Sequence, residues 1–252
     1  MAGQERTPLV LLHGVGLDRT VWDDFRTEYG RLSGRDVLAL DLPGHGEQPP
    51  WRGPAGLAAF ADDVAGRLPP LAHLVGFSLG ALVAQALAVR QGGRVASLVN
   101  VSSVCRRTAA ERAAVEARLE QAAADFSVSA EASIERWYPA GTPVGPEAVE
   151  RTREVLLGND VESFLAAYRV FAAGDAEIGP ELSRIRQPVL NVTGELDPGS
   201  TPDMTRRLTE QIAGSRAVVV PGARHMLPVE APRALAETIH HFIEESSTEH
   251  HD

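Results

Sequence analysis

With 252 residues, 44% of them hydrophobic, the chain can bury the core of one large α/β domain carrying an inserted subdomain, rather than two independent cores. A formal net charge of -10 and a pI of about 5.3 set it against nucleic acid and anionic membrane surfaces as partners. The single cysteine, Cys105, excludes an internal disulfide framework and a multi-cysteine metal site, and reads as a buried thiol.

The amino terminus, MAGQERTPLVLLHG, has no basic segment followed by an apolar stretch and cleavage site. No apolar run reaches the ~18 residues of a membrane span, so a soluble, cytoplasmic protein is expected. Thr7 to His13 is the first predicted strand, ending in the tight loop His13-Gly14-Val15-Gly16. Helical periodicity follows from about Thr20 through Val21, Trp22, Phe25 and Tyr29. A second strand, Asp36 to Leu40, closes on Asp41-Leu42-Pro43-Gly44-His45-Gly46. An amphipathic helix over 57–68, a strand over 71–77, a helix over 79–91 and a strand over 95–101 come next. This alternation predicts a parallel sheet with helices on both faces.

After Ser103 the pattern changes. Nearly 80 residues pass with helical periodicity and no convincing strand, which marks an insertion. Helices are expected over 108–124, 128–138, 146–158 and 160–173, broken by Pro139-Ala140-Gly141-Thr142-Pro143 and by Gly158-Asn159. Strand and helix then resume over Val189–Thr193, 202–212, Ala217–Val220 and 232–245, with the tail SSTEHHD expected to be disordered.

The chemistry gathers at Gly76-Phe77-Ser78-Leu79-Gly80, a G-x-S-x-G sequence between a buried-type strand and an apolar helix. A strand feeding straight into a helix strains the serine backbone and leaves no room for side chains two residues either side. Ser78 then stands at a strand end above a helix amino terminus, where developing negative charge is stabilised. A hydroxyl is a poor nucleophile at neutral pH, so it needs a base and a group to orient that base. His225, in the loop after the last strand, is the candidate base. Asp197, after the strand 189–193, is the candidate partner, and Glu195 is the competing carboxylate expected to face away. The backbone N–H groups of Leu79 and Val15 are the candidate oxyanion donors. His45 reads as part of a turn, and His240, His241, His250 and His251 lie on or after the terminal helix. None of these is assigned a metal.

LLHGVG, DLPGHG, GFSLG, GELD and GARH, in the order serine, acid, histidine, make the chain resemble the α/β-hydrolase fold family over essentially its whole length. The resemblance implies a mostly parallel sheet of about six strands flanked by helices, since too few residues precede Thr7 for the family's usual antiparallel leading strands. It places a core at 1–103 and 183–252 and a helical cap at 104–182, inserted after the strand that follows the serine helix. LLHGVGLDRTVW, Glu135-Arg136-Trp137-Tyr138, DPGSTP and RHMLPVEAP are most similar to 3-oxoadipate enol-lactonases and related hydrolases of small carboxylates. That likeness implies hydrolysis of an ester, enol-lactone or related amide of a small acid. A small-molecule substrate, a monomer or homodimer, and no cofactor or metal are expected. Serine at position 78 argues against the haloalkane dehalogenases and epoxide hydrolases of this fold, which use aspartate there.

Two other readings share these motifs: cleavage of carbon–carbon bonds in vinylogous diketones, and a binding or signalling protein that retains the triad. Within the cap, eight arginines face fourteen carboxylates, so any selectivity for acids must come from a placed arginine. Arg136, beside Trp137 just before the Pro139 break, is the candidate. The alternative is a surface arginine paired with Glu131 or Glu135.

Overall fold

The computed structural model describes residues 6–248. Six strands form one sheet: β1 (Leu9–Leu12), β2 (Val37–Leu40), β3 (Ala72–Phe77), β4 (Val95–Val101), β5 (Val189–Gly194) and β6 (Arg216–Val220). They lie in the order β2-β1-β3-β4-β5-β6, and every pair is parallel. A parallel sheet has helices on both faces, so its central strands are apolar on both sides. Here Val10, Leu12, Leu74 and Leu98 pack toward α2 (Leu57–Ala65) and α3 (Leu79–Arg90). Their neighbours Leu9, Leu11, Val75 and Val99 pack toward α1 (Asp23–Leu32) and α10 (Pro232–Thr248).

Between β4 and β5 run α4 (Ala109–Ala124), α5 (Phe126–Trp137), α6 (Pro146–Leu157) and α7 (Val161–Ile178). These helices pack on one another, and α7 rests on α2 and α3. The chain is completed by α8 (Pro202–Gln211) after β5 and the short α9 (Leu227–Glu230) before α10.

Several boundaries differ from the sequence expectation. The first strand begins at Leu9 rather than Thr7, because Pro8 has no N–H to give to the ladder. The helix expected from Thr20 is a 3-10 turn, Arg19–Trp22, capped by Asp18, and α1 follows it. The helix expected to reach residue 68 stops at Ala65, with Gly66 as its cap. The helix expected to end at residue 173 runs on to Ile178, since Gly174 lies where a Cβ would strike Leu82 and serves packing, not termination. Ser246 to Thr248, expected to be disordered, continue α10. The hydroxyls of Ser246 and Ser247 bond back to the carbonyls of Phe242 and Ile243. The rest of the tail, 249–252, lies outside the described residues.

Strand order reverses at β1, whose successors lie on either side of it. In open sheets of this kind the crevice at the carboxyl ends of such strands receives the ligand. The loop after β1 and the turn after β3 both open there.

Candidate functional site

Ser78 links β3 directly to α3 with φ of 55° and ψ of -113°, a left-handed conformation that costs a non-glycine residue about 1–3 kcal/mol. The turn holds because its neighbours are glycines. A Cβ on Gly76 would strike Gly80 O, and one on Gly80 would strike the carbonyls of Leu12 and His13. Gly80 N–H donates to His13 O at 3.0 Å, tying the turn to the end of β1.

Opposite Ser78, His225 stands in the loop after β6 and is 9% exposed. Its Nδ1 lies 2.8 Å from Asp197 Oδ2. The other carboxylate oxygen accepts from Gly199 N–H at 2.9 Å and Ser200 N–H at 2.8 Å. Burial pushes the Asp197 carboxyl up, but the charge and hydrogen bond of His225 and those two N–H groups outweigh it. The carboxyl is therefore held below its ordinary value. Glu195 faces away, as expected, accepting from Gly222 N–H at 2.9 Å on the surface. The imidazole lies between Phe77, with centroids 5.1 Å apart, and Trp137, stacked at 6.2 Å and 20°. No hydrogen bond joins Ser78 Oγ to the imidazole in this structure. Such bonds are commonly long without substrate and tighten in the complex.

The loop after β1 is set by a polar network that sequence reading passed over. His13 Nε2 accepts from Leu42 N–H at 2.9 Å, and His45 Nε2 accepts from Gly16 N–H at 3.1 Å. Each Nδ1 lies against a backbone carbonyl, so both rings are held as neutral Nδ1–H tautomers. Burial drives the pKa of His45 down to about 3 and lowers that of His13 as well. His45 thus stands in a turn, as the sequence suggests, and its buried ring ties that turn to the loop after β1. With Gly16 N–H committed to His45, and Leu17 N–H to Gly14 O, the N–H of Val15 makes no hydrogen bond among the described residues. The N–H of Leu79, first in α3, has no intrahelical acceptor either. Both candidate oxyanion donors are therefore uncommitted, Leu79 next to Ser78 in the chain and Val15 in the same cleft as Ser78.

Above these groups lies a cleft of about 340 Å³. Its floor holds Val15, Phe77, Ser78 and His225, and its roof comes from α4 to α7, including Arg118, Arg136, Trp137 and Tyr168. Arg136 has no carboxylate partner among the described residues. Its Nη1 and Nη2 donate to Ala132 O at 3.3 Å and Ser133 Oγ at 2.9 Å. Glu131 pairs instead with Arg153, so the surface pair considered from sequence does not form. Burial, together with nearby Arg118, lowers the Arg136 pKa. Sequence reading missed Arg118, although Ala110, Ala114 and Arg118 follow at four-residue spacing, the signature of one helix face.

A family model described as alpha/beta hydrolase family matches residues 9–238. The chain belongs to the alpha/beta hydrolase family. Among curated relatives, the (E)-2-((N-methylformamido)methylene)succinate hydrolase of Acinetobacter baylyi is 31% identical over 248 residues, 95% of this chain and 91% of that protein. A pimeloyl-(acyl-carrier protein) methyl ester esterase of Neisseria meningitidis is 32% identical, covering 93% of this chain and 92% of its own. Among solved structures, the enol-lactonase of Burkholderia xenovorans superposes with a TM-score of 0.84 at 27% identity, over 95% of this chain and 92% of its own. A malate-bound thermophilic esterase of Thermogutta terrifontis gives 0.83 at 28%, over 96% and 90%. The six parallel strands flanked by helices are those of this hydrolase fold. No helix among the described residues is long and apolar enough to cross a membrane.

Proposed function

We propose that this alpha/beta hydrolase cleaves a small-molecule carboxylic ester, enol-lactone or related amide through an acyl-enzyme on Ser78. The observation that carries the reading is the strained Ser78 at the head of α3, lining one cleft with His225, whose imidazole is held by the buried Asp197. His225 Nε2 takes the Ser78 proton as Oγ attacks the carbonyl carbon. Asp197 keeps the imidazole in the required tautomer and stabilises the imidazolium. The tetrahedral oxyanion receives N–H bonds from Val15 and Leu79. Collapse breaks the bond to the alkoxide, enolate or amine, which leaves with the proton from His225. Water, deprotonated by the same imidazole, then frees the acid and restores Ser78. Trp137 covers the imidazole and limits bulk water, and Arg136 contributes positive charge toward the acid portion of the substrate.

The names of the relatives support a small acid: one is a hydrolase of a substituted succinate, one an enol-lactonase, one an esterase with malate bound. The test is multiple turnover of simple aryl esters, combined with fluorophosphonate labelling and peptide mass mapping. The adduct is expected on Ser78, and turnovers should far exceed the enzyme present. A single stoichiometric burst without turnover would favour the binding-protein reading, and an adduct elsewhere would remove Ser78 as nucleophile.

A further inference from the structure

Three guanidinium groups line the cleft, those of Arg107, Arg118 and Arg136, and they differ in what they have left to donate. Arg107 is a structural cation. Its side chain is 2% exposed, its Nη1 reaches Asp175 Oδ1 at 2.6 Å and the carbonyls of Phe171 and Ala172, and its plane lies 4.7 Å over the Phe171 ring. Arg136 spends both terminal nitrogens on its own helix. Arg118 spends only Nε, which donates to Tyr168 Oη at 3.3 Å, and its Nη1 and Nη2 make no hydrogen bond among the described residues.

The nearby carboxylates already have partners of their own. Glu111 lines the same wall but is held by both oxygens on Arg207 Nη2, at 3.0 and 2.9 Å, and Asp175 belongs to Arg107. Asp197 is taken by His225 and two N–H groups. Arg118 also stands close enough to Arg107 and Arg136 to work against the charge on each. In addition, Arg107 Nη2 is buried with no hydrogen-bond partner. Arg118 and Arg136 thus bring like charges into a partly desolvated cleft with no carboxylate among the described residues hydrogen-bonded to either, an arrangement that an anion on the free donors of Arg118 would relieve.

We propose that Arg118, rather than Arg136, is the principal anchor for a free carboxylate on the substrate. Its Nη1–Nη2 edge would receive the carboxylate in bidentate fashion, with Nε fixed by Tyr168 and Arg136 flanking as a second, weaker positive charge. The inference rests on the hydrolase reading for its substrate but not for its binding site. The substrate class is accordingly an ester, lactone or amide of a diacid, in which one carboxyl is the scissile acyl group and the other stays free. Phe164, Tyr168 and Phe171 follow one another on one face of α7 and supply the apolar wall along which the intervening methylenes lie.

The test compares mono-para-nitrophenyl succinate, which carries a free carboxylate, with para-nitrophenyl acetate, which does not. Arg118→Gln should raise KM for the succinyl ester about tenfold to a hundredfold, with a much smaller change for the acetyl ester. Arg136→Gln should lower the succinyl-to-acetyl ratio of kcat/KM less. Arg118→Lys, which keeps the charge but not the fork, should fall between wild type and Arg118→Gln. If the ratio survives in Arg118→Gln, or falls further in Arg136→Gln, the assignment is wrong.

Calorimetric titration of succinate into the wild type and into Arg118→Gln, each checked for an unchanged melting temperature, reads the anchor without turnover. Binding should weaken about tenfold or more in the variant, whereas equal binding to both proteins, or none to the wild type, overturns the anchor. If neither ester is turned over but succinate binding is lost in Arg118→Gln, the anchor stands and the hydrolase reading fails. If both esters are turned over with no charge preference, the hydrolase reading stands and the anchor fails. A variant that melts early is replaced by Arg118→Lys, for which unchanged selectivity and unchanged succinate affinity would likewise overturn the bidentate assignment.

Discussion

Ser78 was legible because its turn demands particular neighbours: strand, helix and the end of β1 pass so close together that residues 76 and 80 have no room for side chains. Replacing it with alanine removes the proposed nucleophile and little volume, so kcat should fall about 10⁴-fold or more with the fold and ligand affinity retained. A pure preparation keeping a tenth of the activity would refute the assignment. The choice between two carboxylates was also readable, since residues 195 and 197 leave the strand end in different directions. Asp197→Asn should therefore cut kcat by orders of magnitude with little change in KM, while Glu195→Gln, which touches only Gly222 N–H on the surface, should be mild. The reverse order would transfer the role to Glu195. The pair His13 and His45 was not legible. Each bonds a backbone N–H 29 residues away, and nothing local in Pro-Gly-His-Gly distinguishes a buried acceptor from a turn residue.

Elements came through where periodicity is strong and blurred where capping decides. The β3–Ser78–α3 unit and the helical stretch after β4 follow from hydrophobic pattern alone. The boundary between α4 and α5 does not, since Asp125 is at once the C-cap of one and the N-cap of the other, leaving no gap between them. At the other end of α4, Thr108 and Glu111 form a full capping box, with Thr108 Oγ1 accepting from Glu111 N–H at 3.2 Å and Glu111 Oε2 from Thr108 N–H at 2.7 Å. Glu111 also grips Arg207 on α8, so this cap fixes the first turn of the roof to the sheet side of the cleft. Thr108→Ala should lower stability by about 1 kcal/mol, read as a shift in urea midpoint at constant slope. An unchanged midpoint would mean that the Glu111–Arg207 pair alone holds the turn.

Across the whole molecule, topology was the most legible feature and convergence the least. Alternating strand and helix dictate a parallel sheet, and the reversal at β1 marks the edge on which the candidate cleft opens; which roof arginine keeps free donors depends on α4, α5 and α7 meeting, and no spacing records that. The same folding buries three histidines without charge. Burial lowers His73, on β3 beside Ser97 Oγ at 2.8 Å, to about 4 and His45 to about 3, and lowers His13 as well. Unfolded imidazoles titrate near 6.5, so on acidification the unfolded chain takes up protons that the fold refuses. The stability from these neutral rings is complete above about pH 6.5 and drains away as the pH falls from there toward 4 and 3. At pH 5 each histidine that stays neutral in the fold costs about 2 kcal/mol relative to neutral pH. The opposing effect is relief of self-repulsion as the net charge of -10 approaches zero near pH 5.3. That repulsion is spread over the surface and screened within about 8 Å at physiological salt, so the buried rings should dominate. The urea midpoint should accordingly drop between pH 7.5 and pH 5, and the drop should be smaller in His73→Gln, which has no proton to gain. A midpoint that holds level or rises toward the pI would show that surface charge governs the acid limb instead.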